Sequence, residues 1–299
     1  MSGSPFSAAF FDGRFISLEE ARIPVTNAGY LLGDGVFETL RGYDGVCFRA
    51  EQHFETLVRG AALYGLTLPV SLGRLVAVVD EAASRTKSRD AYVRVTLTRG
   101  VGDDSVLTVL SRPLVVPADT DYARGVRATV VSGRRIPPAC MDPTIKSTSY
   151  ASQVLARREA VSRGIGEGEG IMLAVDGTIA CGTMANLFVI AGEVLRTPPI
   201  TTGCRAGVTR SVVLELARSR FKVREEPIEL AALSEADEAF FTSSRVECLP
   251  IASVDDRTVG HPSGDAIAYP RTAALRAELR ARIGGEVARE RASERRGTA

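Results

Sequence analysis

The chain has 299 residues, 45% apolar and 24% charged, and 37 Lys and Arg balance 36 Asp and Glu to leave a net charge of +1. That is enough chain for two globular domains, with no charge excess to draw it to nucleic acid or a membrane surface and no apolar run near the roughly 20 residues of a membrane span. Two histidines (His53, His261) and five scattered cysteines without a CxxC pair (Cys47, Cys140, Cys181, Cys204, Cys248) argue against multi-histidine chemistry, a metal site and a disulfide framework, and fit a reducing cytoplasm.

The N-terminus, MSGSPFSAAFF, has no basic region before its short apolar stretch, so no signal peptide is expected. Residues 8–18 place two apolar runs about Asp12-Gly13, a hairpin signal that residues 36–49 repeat about Asp44-Gly45. Residues 51–66 space Phe54, Leu57, Ala61 and Leu63 as on a helix. Residues 71–85 read as a second helix with Ser71 as its N-cap. Residues 91–100 alternate with period two, and 106–110 follow as a strand. Residues 111–124 carry two prolines and read as a linker.

The second half opens with a strand at 126–131 and a helix at 149–164, with Tyr150, Val154, Leu155 and Ala160 along one side. Residues 170–195 read as strand pairs turned at Asp176-Gly177 and Ala191-Gly192. A helix over 207–218, a short strand over 238–244 and a last helix over 271–282 complete the pattern. The charged, apolar-poor tail beyond Gly284 is expected to fray. The implied division is an N-terminal α/β domain (1–112), a linker (113–124), a C-terminal α/β domain (125–284) and a charged tail (285–299).

Several residues are candidates for chemistry. Lys146 stands in a polar segment before a helix; an amine there can form a Schiff base if burial or nearby cations lower its pKa, and is otherwise a surface lysine. Gly207-Val208-Thr209-Arg210 opens a helix after a loop, where N–H groups and the helix dipole favour an anion; an ordinary capped helix has the same sequence. Phe37 is either a buried strand residue or a pocket wall. Arg94 and Arg99 are either exposed strand arginines or binders of a carboxylate.

Four segments stand in order: GYLLGDGVFETLRGYDG (29–45) followed by His53, IKSTSYASQVLARREAVSRG (145–164), DGTIACGTMANLFVI (176–190), and TPPITTGCRAGVTR (197–210) followed by FFTSSRVECLPI (240–251). Together they resemble the class IV, or fold type IV, aminotransferases, a family that includes branched-chain and D-amino-acid transaminases and aminodeoxychorismate lyase. The resemblance spans about residues 8–282. It implies a two-domain α/β fold, a homodimer, pyridoxal phosphate as cofactor, and an amino acid or keto acid as substrate. It makes Lys146 the Schiff-base lysine and the proton shuttle at the substrate's α-carbon. It gives the cofactor phosphate to Val208, Thr209 and Ser244, and places Phe37 at the substrate pocket with Arg94 and Arg99 on a nearby strand.

The chain departs from the family pattern twice. The glutamate that pairs with the pyridine nitrogen falls at Cys181, five residues before Asn186. The arginine that contacts the phosphate falls at Thr56, three residues after His53, where a hydroxyl can assist only weakly. Losing a charge-assisted contact costs about 1.5–3 kcal/mol. Arg59, further along the same helix, either substitutes or is a solvated helix arginine. Three readings follow: a pyridoxal-phosphate aminotransferase or lyase with a re-tuned ring, a cofactor-independent enzyme using Cys181 in a repurposed pocket, or a non-catalytic ligand-binding homologue.

Overall fold

The computed structural model describes residues 6–102, 104–260, 262 and 266–297, with side chains of the last helix described to residue 292. The chain divides into two compact units. One holds the residues up to 115, residues 145–150 and those from 282 on; the other holds 116–144 and 151–281.

The first unit is an antiparallel sheet with helices on one face. β1 (Ala8–Phe11) and β2 (Arg14–Ile16) turn at Asp12-Gly13, both left-handed at φ 49° and 80°, as a tight hairpin turn requires. A short helix, α1 (Ala28–Leu32), is capped by Asn27, whose side chain accepts from the Tyr30 N–H. β3 (Gly35–Tyr43) and β4 (Val46–Cys47) turn at Asp44-Gly45, again left-handed. α2 (Ala50–Leu63) and α3 (Leu72–Arg85) follow; the Ser71 hydroxyl accepts from the Arg74 N–H and so caps α3 as its sequence implies. β5 (Asp90–Arg99) and β6 (Ser105–Pro113) complete the order β2-β1-β6-β5-β3-β4.

Period-two alternation divides the faces of this sheet. Val93, Val95 and Leu97 of β5 and Val36 and Leu40 of β3 join Phe54 and Leu57 of α2 and Leu75, Val78 and Val79 of α3 in one core. Leu63, expected on the apolar side of α2, is 62% exposed, because it faces outward on a last turn whose buried side is Gly60 and Ala61.

In the second unit, the residues expected as linker contain α4 (Asp119–Arg124), whose first turn is secured by Asp121 accepting from the Ala118 N–H. β7 (Val126–Arg134), α5 (Ala151–Ser162), β8 (Gly170–Leu173), β9 (Ile179–Gly182), β10 (Asn186–Ala191), β11 (Val194–Thr197), α6 (Val208–Ala217), β12 (Lys222–Glu225), β13 (Glu238–Ser243), β14 (Glu247–Val254) and β15 (Arg257–Thr258) follow. They form a mixed sheet in the order β12-β11-β10-β13-β14-β7-β8-β9, with β15 paired to β14. The expected strand pairs turn at Gly177 and Gly192, both with positive φ.

Two expectations are corrected here. α5 buries Gln153, Ala156 and Ala160, whereas Leu155 is 63% exposed, so its inner side is the small-residue face and not the one marked by Val154 and Leu155. The final helix, α7 (Pro270–Gly297), does not stop near residue 282, and the tail is helical as far as it is described. Its Ala-, Glu- and Arg-rich sequence has high helix propensity. Glu286 takes a two-pronged ion pair from Arg49 at 2.7 Å, and Val287 is buried.

Candidate functional site

In the first unit, the site is built on β3. Successive residues of a strand point to opposite faces, so Phe37 and Glu38 part company. Glu38 turns inward under α2, where its Oε2 lies 2.9 Å from Nδ1 of the buried His53. Phe37 lies on the other face with Arg94 and Thr96 of β5, its register neighbours.

Residues 146–148 add a short stretch of pairing to the start of β3. The Phe37 N–H donates to the Lys146 carbonyl at 2.8 Å, Val36 and Ser147 form a β-bridge, and the Thr148 N–H donates to the Gly35 carbonyl at 2.9 Å. Side chains secure the same segment. The Tyr64 hydroxyl, at the end of α2, lies 2.8 Å from the Ser147 Oγ, which also accepts from the Ser149 N–H; the Thr148 hydroxyl donates to the Gly33 carbonyl at 2.8 Å. These contacts explain why residues 145–150, from the span assigned by sequence to the C-terminal domain, cluster with the first unit.

The Lys146 backbone is therefore fixed, and its amine lies 5.1 Å from the centroid of the Phe37 ring. The Arg94 guanidinium sits 3.7 Å from the same ring, steadied by a 3.1 Å bond from its Nε to the Thr96 hydroxyl. Tyr150 meets the ring edge-on at 5.2 Å. An aromatic face favours both cations. The cluster can present a nucleophilic amine and a fixed positive charge around one ring.

Arg99 is engaged elsewhere. It pairs with Asp34 at 2.8 Å and donates to the Tyr64 carbonyl at 2.5 Å, which makes it a strut between the α1–β3 turn and the end of α2. Thr56 lies half-buried on α2, one turn before Gly60, which packs against Val36 and Ile145. Its hydroxyl is 3.3 Å from the Gln52 carbonyl, so its proton is directed back into the helix. Arg59 is exposed.

In the second unit, α6 starts at Gly207 with extended backbone and no side-chain cap, and its first turn has no acidic residue. The first-turn N–H groups of a helix have no partners within it. A side chain at 207 would strike Asn186: an added Cβ would lie 2.5 Å from the Asn186 Oδ1. Asn186 in turn donates to the Arg205 carbonyl at 2.7 Å. Thr242, across the β10–β13 ladder from Asn186, is 1% exposed, and its Oγ has no hydrogen-bond partner among the described residues. Thr209 and Val208 are buried at the start of α6, and Ser244 stands half-buried in the turn after β13.

Cys181, on β9 opposite Met172, is packed with Ala174, Ala180 and Cys204. Burial pushes its thiol up to about 12; Arg135 opposes that shift, while Cys204 and Glu169 add to it. Arg135 donates to the Gly203 carbonyl at 2.5 Å. Burial likewise raises the Cys204 thiol, which contacts the Pro198 and Pro199 carbonyls. A thiolate is the nucleophilic form, so this environment works against the reading of Cys181 as a reactive thiol.

Sequence reasoning passed over Tyr64, Ser147, Arg135, Arg205, Thr242 and Glu169. Glu169 is a buried acid close to Cys181, with its carboxyl held above the ordinary range by burial. It accepts from the Thr183 hydroxyl and the Met184 N–H and pairs with Arg157 at 3.6 Å, so it braces the β9–β10 turn. No sequence signal links Tyr64 to Ser147, which lie 83 positions apart. The helix-entry pattern before Val208 could have singled out Arg205. Among the described residues, no group of His, Cys, Asp and Glu is arranged to hold a metal ion.

The sequence profile described as amino-transferase class IV matches residues 35–254. The chain belongs to the class IV aminotransferase family. It is 34% identical over 262 residues to a putative branched-chain-amino-acid aminotransferase of Methanocaldococcus jannaschii, covering 84% of this chain and 89% of that one. It is 30% identical over 271 residues to an aminodeoxychorismate lyase of Bacillus subtilis, covering 86% and 90%. Its fold matches the crystal structure of the branched-chain amino acid aminotransferase of Escherichia coli with a TM-score of 0.86, 27% identity and coverage of 94% and 96% of the two chains. The fold is thus the two-sheet α/β architecture of fold type IV, and the family is pyridoxal-phosphate-dependent.

The burial of Cys181 generates a prediction for this family member. With a thiol near 12, only about one molecule in ten thousand carries a thiolate at pH 8. Brief alkylation with iodoacetamide at pH 8, read by peptide mass spectrometry, should label the exposed Cys140 and leave Cys181 unmodified. Preferential labelling of Cys181 would show that its surroundings activate it.

Proposed function

We propose that the chain is a pyridoxal-phosphate-dependent aminotransferase or lyase acting on an amino acid or amino-substituted carboxylic acid, with Lys146 carrying the cofactor. The observation that carries this reading is the anchoring of Lys146 on β3, with its amine and the Arg94 guanidinium against the same Phe37 ring. The second unit offers what a phosphate needs: an uncapped helix start at Val208 and Thr209, a hydroxyl at Ser244, and a buried Thr242 hydroxyl without a partner. These residues fit the cofactor's anionic end, with Thr56 a weak auxiliary.

When bound, the cofactor supplies an electron sink for the bond broken at the substrate's α-carbon. Lys146 takes and returns the proton at that carbon. Phe37 walls the substrate pocket, and Arg94 orients the substrate by its carboxylate. Arg99, already paired to Asp34, supports this face from behind and does not bind substrate. Cys181 is assigned to the ring nitrogen, where a neutral thiol gives a weak hydrogen bond and no charge. A ring partnered in this way withdraws electrons less strongly, which suits elimination better than full transamination. The alternative of a cofactor-independent enzyme driven by Cys181 is disfavoured by the buried, protonated thiol. No observation favours a purely binding homologue.

A homodimer is part of the proposal. Val25, Tyr30, Leu31 and Leu32 are between 61% and 76% exposed, an apolar group around α1 of the kind that a second copy covers. The cytoplasm is the proposed compartment, on the strength of five free cysteines, and cell fractionation is the check.

Three tests apply. Purified protein with added pyridoxal phosphate should show a visible absorption band that borohydride abolishes while fixing the cofactor's mass on the Lys146 peptide. Lys146→Ala should lack both the adduct and activity; an adduct on another lysine, or no band at saturating cofactor, would sink the proposal. Cys181→Glu should raise the ratio of transamination to elimination at least several-fold, and an unchanged ratio would remove the ring-tuning argument. Sedimentation should give a dimer of 31.9-kDa chains that Leu32→Asp weakens, whereas a wild-type monomer would refute the interface.

A further inference from the structure

Lys146 stands between two residues that point the other way. Val36 and Ser147 face each other in an antiparallel β-bridge, so their side chains share one face of the sheet. Val36 belongs to the core packed by α2 and α3, so that face is the helix-covered one. By the period of two, Ile145 joins Ser147 there and Lys146 is left on the opposite face. The contacts agree. Ile145 packs against the helix-covered core, and the Lys146 amine lies 5.1 Å from the Phe37 ring on the other side.

The end of α2 holds both neighbours of the lysine. Gly60 comes so close that an added Cβ would lie 3.3 Å from Val36 and 3.4 Å from Ile145. One turn on, the Tyr64 hydroxyl donates to the Ser147 Oγ at 2.8 Å, and that oxygen also accepts from the Ser149 N–H at 3.1 Å. Ser147 is 3% exposed, so its hydroxyl has little water to turn to. Tyr64 is itself anchored. Its N–H donates to the Ala61 carbonyl at 3.0 Å, and its own carbonyl accepts from Arg99, which is paired with Asp34 at 2.8 Å.

Two main-chain hydrogen bonds are few to define a register. A slip of one residue would exchange the faces, turning Lys146 toward the apolar core and Ile145 and Ser147 away from it. The Tyr64–Ser147 bond exists in one register alone. We propose that Tyr64 is a positioning residue for Lys146: through Ser147 it locks the register in which the lysine amine stands on the Phe37 face. The inference deepens the reading of Lys146 as the cofactor lysine, which gives the lock its use. The lock itself needs no cofactor, because every contact that makes it lies within the chain.

The test compares wild type, Tyr64→Phe, Ser147→Ala and the double variant. Amide hydrogen exchange by NMR, with no cofactor added, follows the Phe37 and Thr148 N–H groups, the donors of the two main-chain bonds. Each single variant should speed their exchange by more than about twofold and up to about 10-fold, the factor for one net hydrogen bond, and leave Val93 and Val95 of β5 unchanged. The double variant should exchange no faster than the faster single one, because both remove the same bond. With pyridoxal phosphate, Tyr64→Phe should slow Schiff-base formation at Lys146 by a similar factor, while affinity for pyridoxamine phosphate, which forms no such bond, stays within about twofold. Changes below about twofold in Phe37 and Thr148 exchange would overturn the lock. So would effects that add in the double variant, an equal rise at Val93 and Val95, or slowed Schiff-base formation matched by an equal loss of pyridoxamine phosphate affinity. A wild type that forms no Schiff base would end the cofactor reading, and the exchange of Phe37 and Thr148 would then decide the lock alone.

Discussion

The candidate chemistry depends on two main-chain hydrogen bonds between residues 146–148 and β3, Phe37 N–H to Lys146 carbonyl and Thr148 N–H to Gly35 carbonyl, which together make Val36 and Ser147 a β-bridge. Backbone pairing fixes a residue without constraining its side chain, which is what a reactive lysine needs. The Cα that carries the amine is tied to β3, next to the edge of its sheet. That strand is itself well held. Its inner face is packed under α2 and α3, and the buried Glu38–His53 pair joins it to α2. Tyr64 closes the circuit, since the residue that ends α2 also bonds Ser147. A disturbance of α2 is therefore transmitted to the lysine segment through one hydroxyl contact and one apolar contact, Gly60 against Ile145.

The second unit is organised by a different constraint, the close approach of a helix start to a strand end. Gly207 admits Asn186 because it has no side chain, and Asn186 uses the space to hold the carbonyl of Arg205. The donors of α6 are positioned by this exchange and not by a capping side chain, so they stay available. Polar groups buried in such a place are costly unless something satisfies them. Thr242, whose buried hydroxyl has no hydrogen-bond partner among the described residues, stands across the β10–β13 ladder from Asn186.

Much of this was legible in the sequence because local chemistry decided it. Asp12-Gly13 and Asp44-Gly45 need left-handed backbone, and both turn hairpins where expected. Ser71 caps α3, and Gly207 opens α6. Legibility failed where tertiary contacts outweighed local pattern. β14 has no clean alternation in ECLPIASV, because it is an interior strand buried along most of its length. The inner side of α5 is lined by Gln153 and two alanines, which a search for large apolar residues passes over. The tail looked soluble and featureless, yet Glu286 finds Arg49 across 237 positions. The same applies to the site. Lys146, Val208 and Thr209 stand out by motif, whereas Tyr64 and Ser147 gain meaning only from what lies beside them.

On the proposed reading, the two departures expected from the resemblance amount to one shift of charge. Cys181 carries a thiol that burial keeps neutral, and the guanidinium of Arg135 is close enough to act on that thiol electrostatically. If the ring nitrogen meets Cys181, a proton there would place a second positive charge near Arg135 with no carboxylate to offset it. Like charges in a poorly solvated setting disfavour the charged form, so the nitrogen would remain unprotonated. At the other end, the proposed reading gives the anion to Val208, Thr209 and Ser244, with Thr56 an uncharged auxiliary. The two replacements are therefore unequal. On the proposed reading the anionic end can be served by several donors, because backbone N–H groups and hydroxyls both suit a phosphate. The ring end cannot, because Glu169, the buried acid near Cys181, already serves Thr183, Met184 and Arg157. Altered reactivity should accordingly trace to Cys181, with cofactor retention depending on the surroundings of α6.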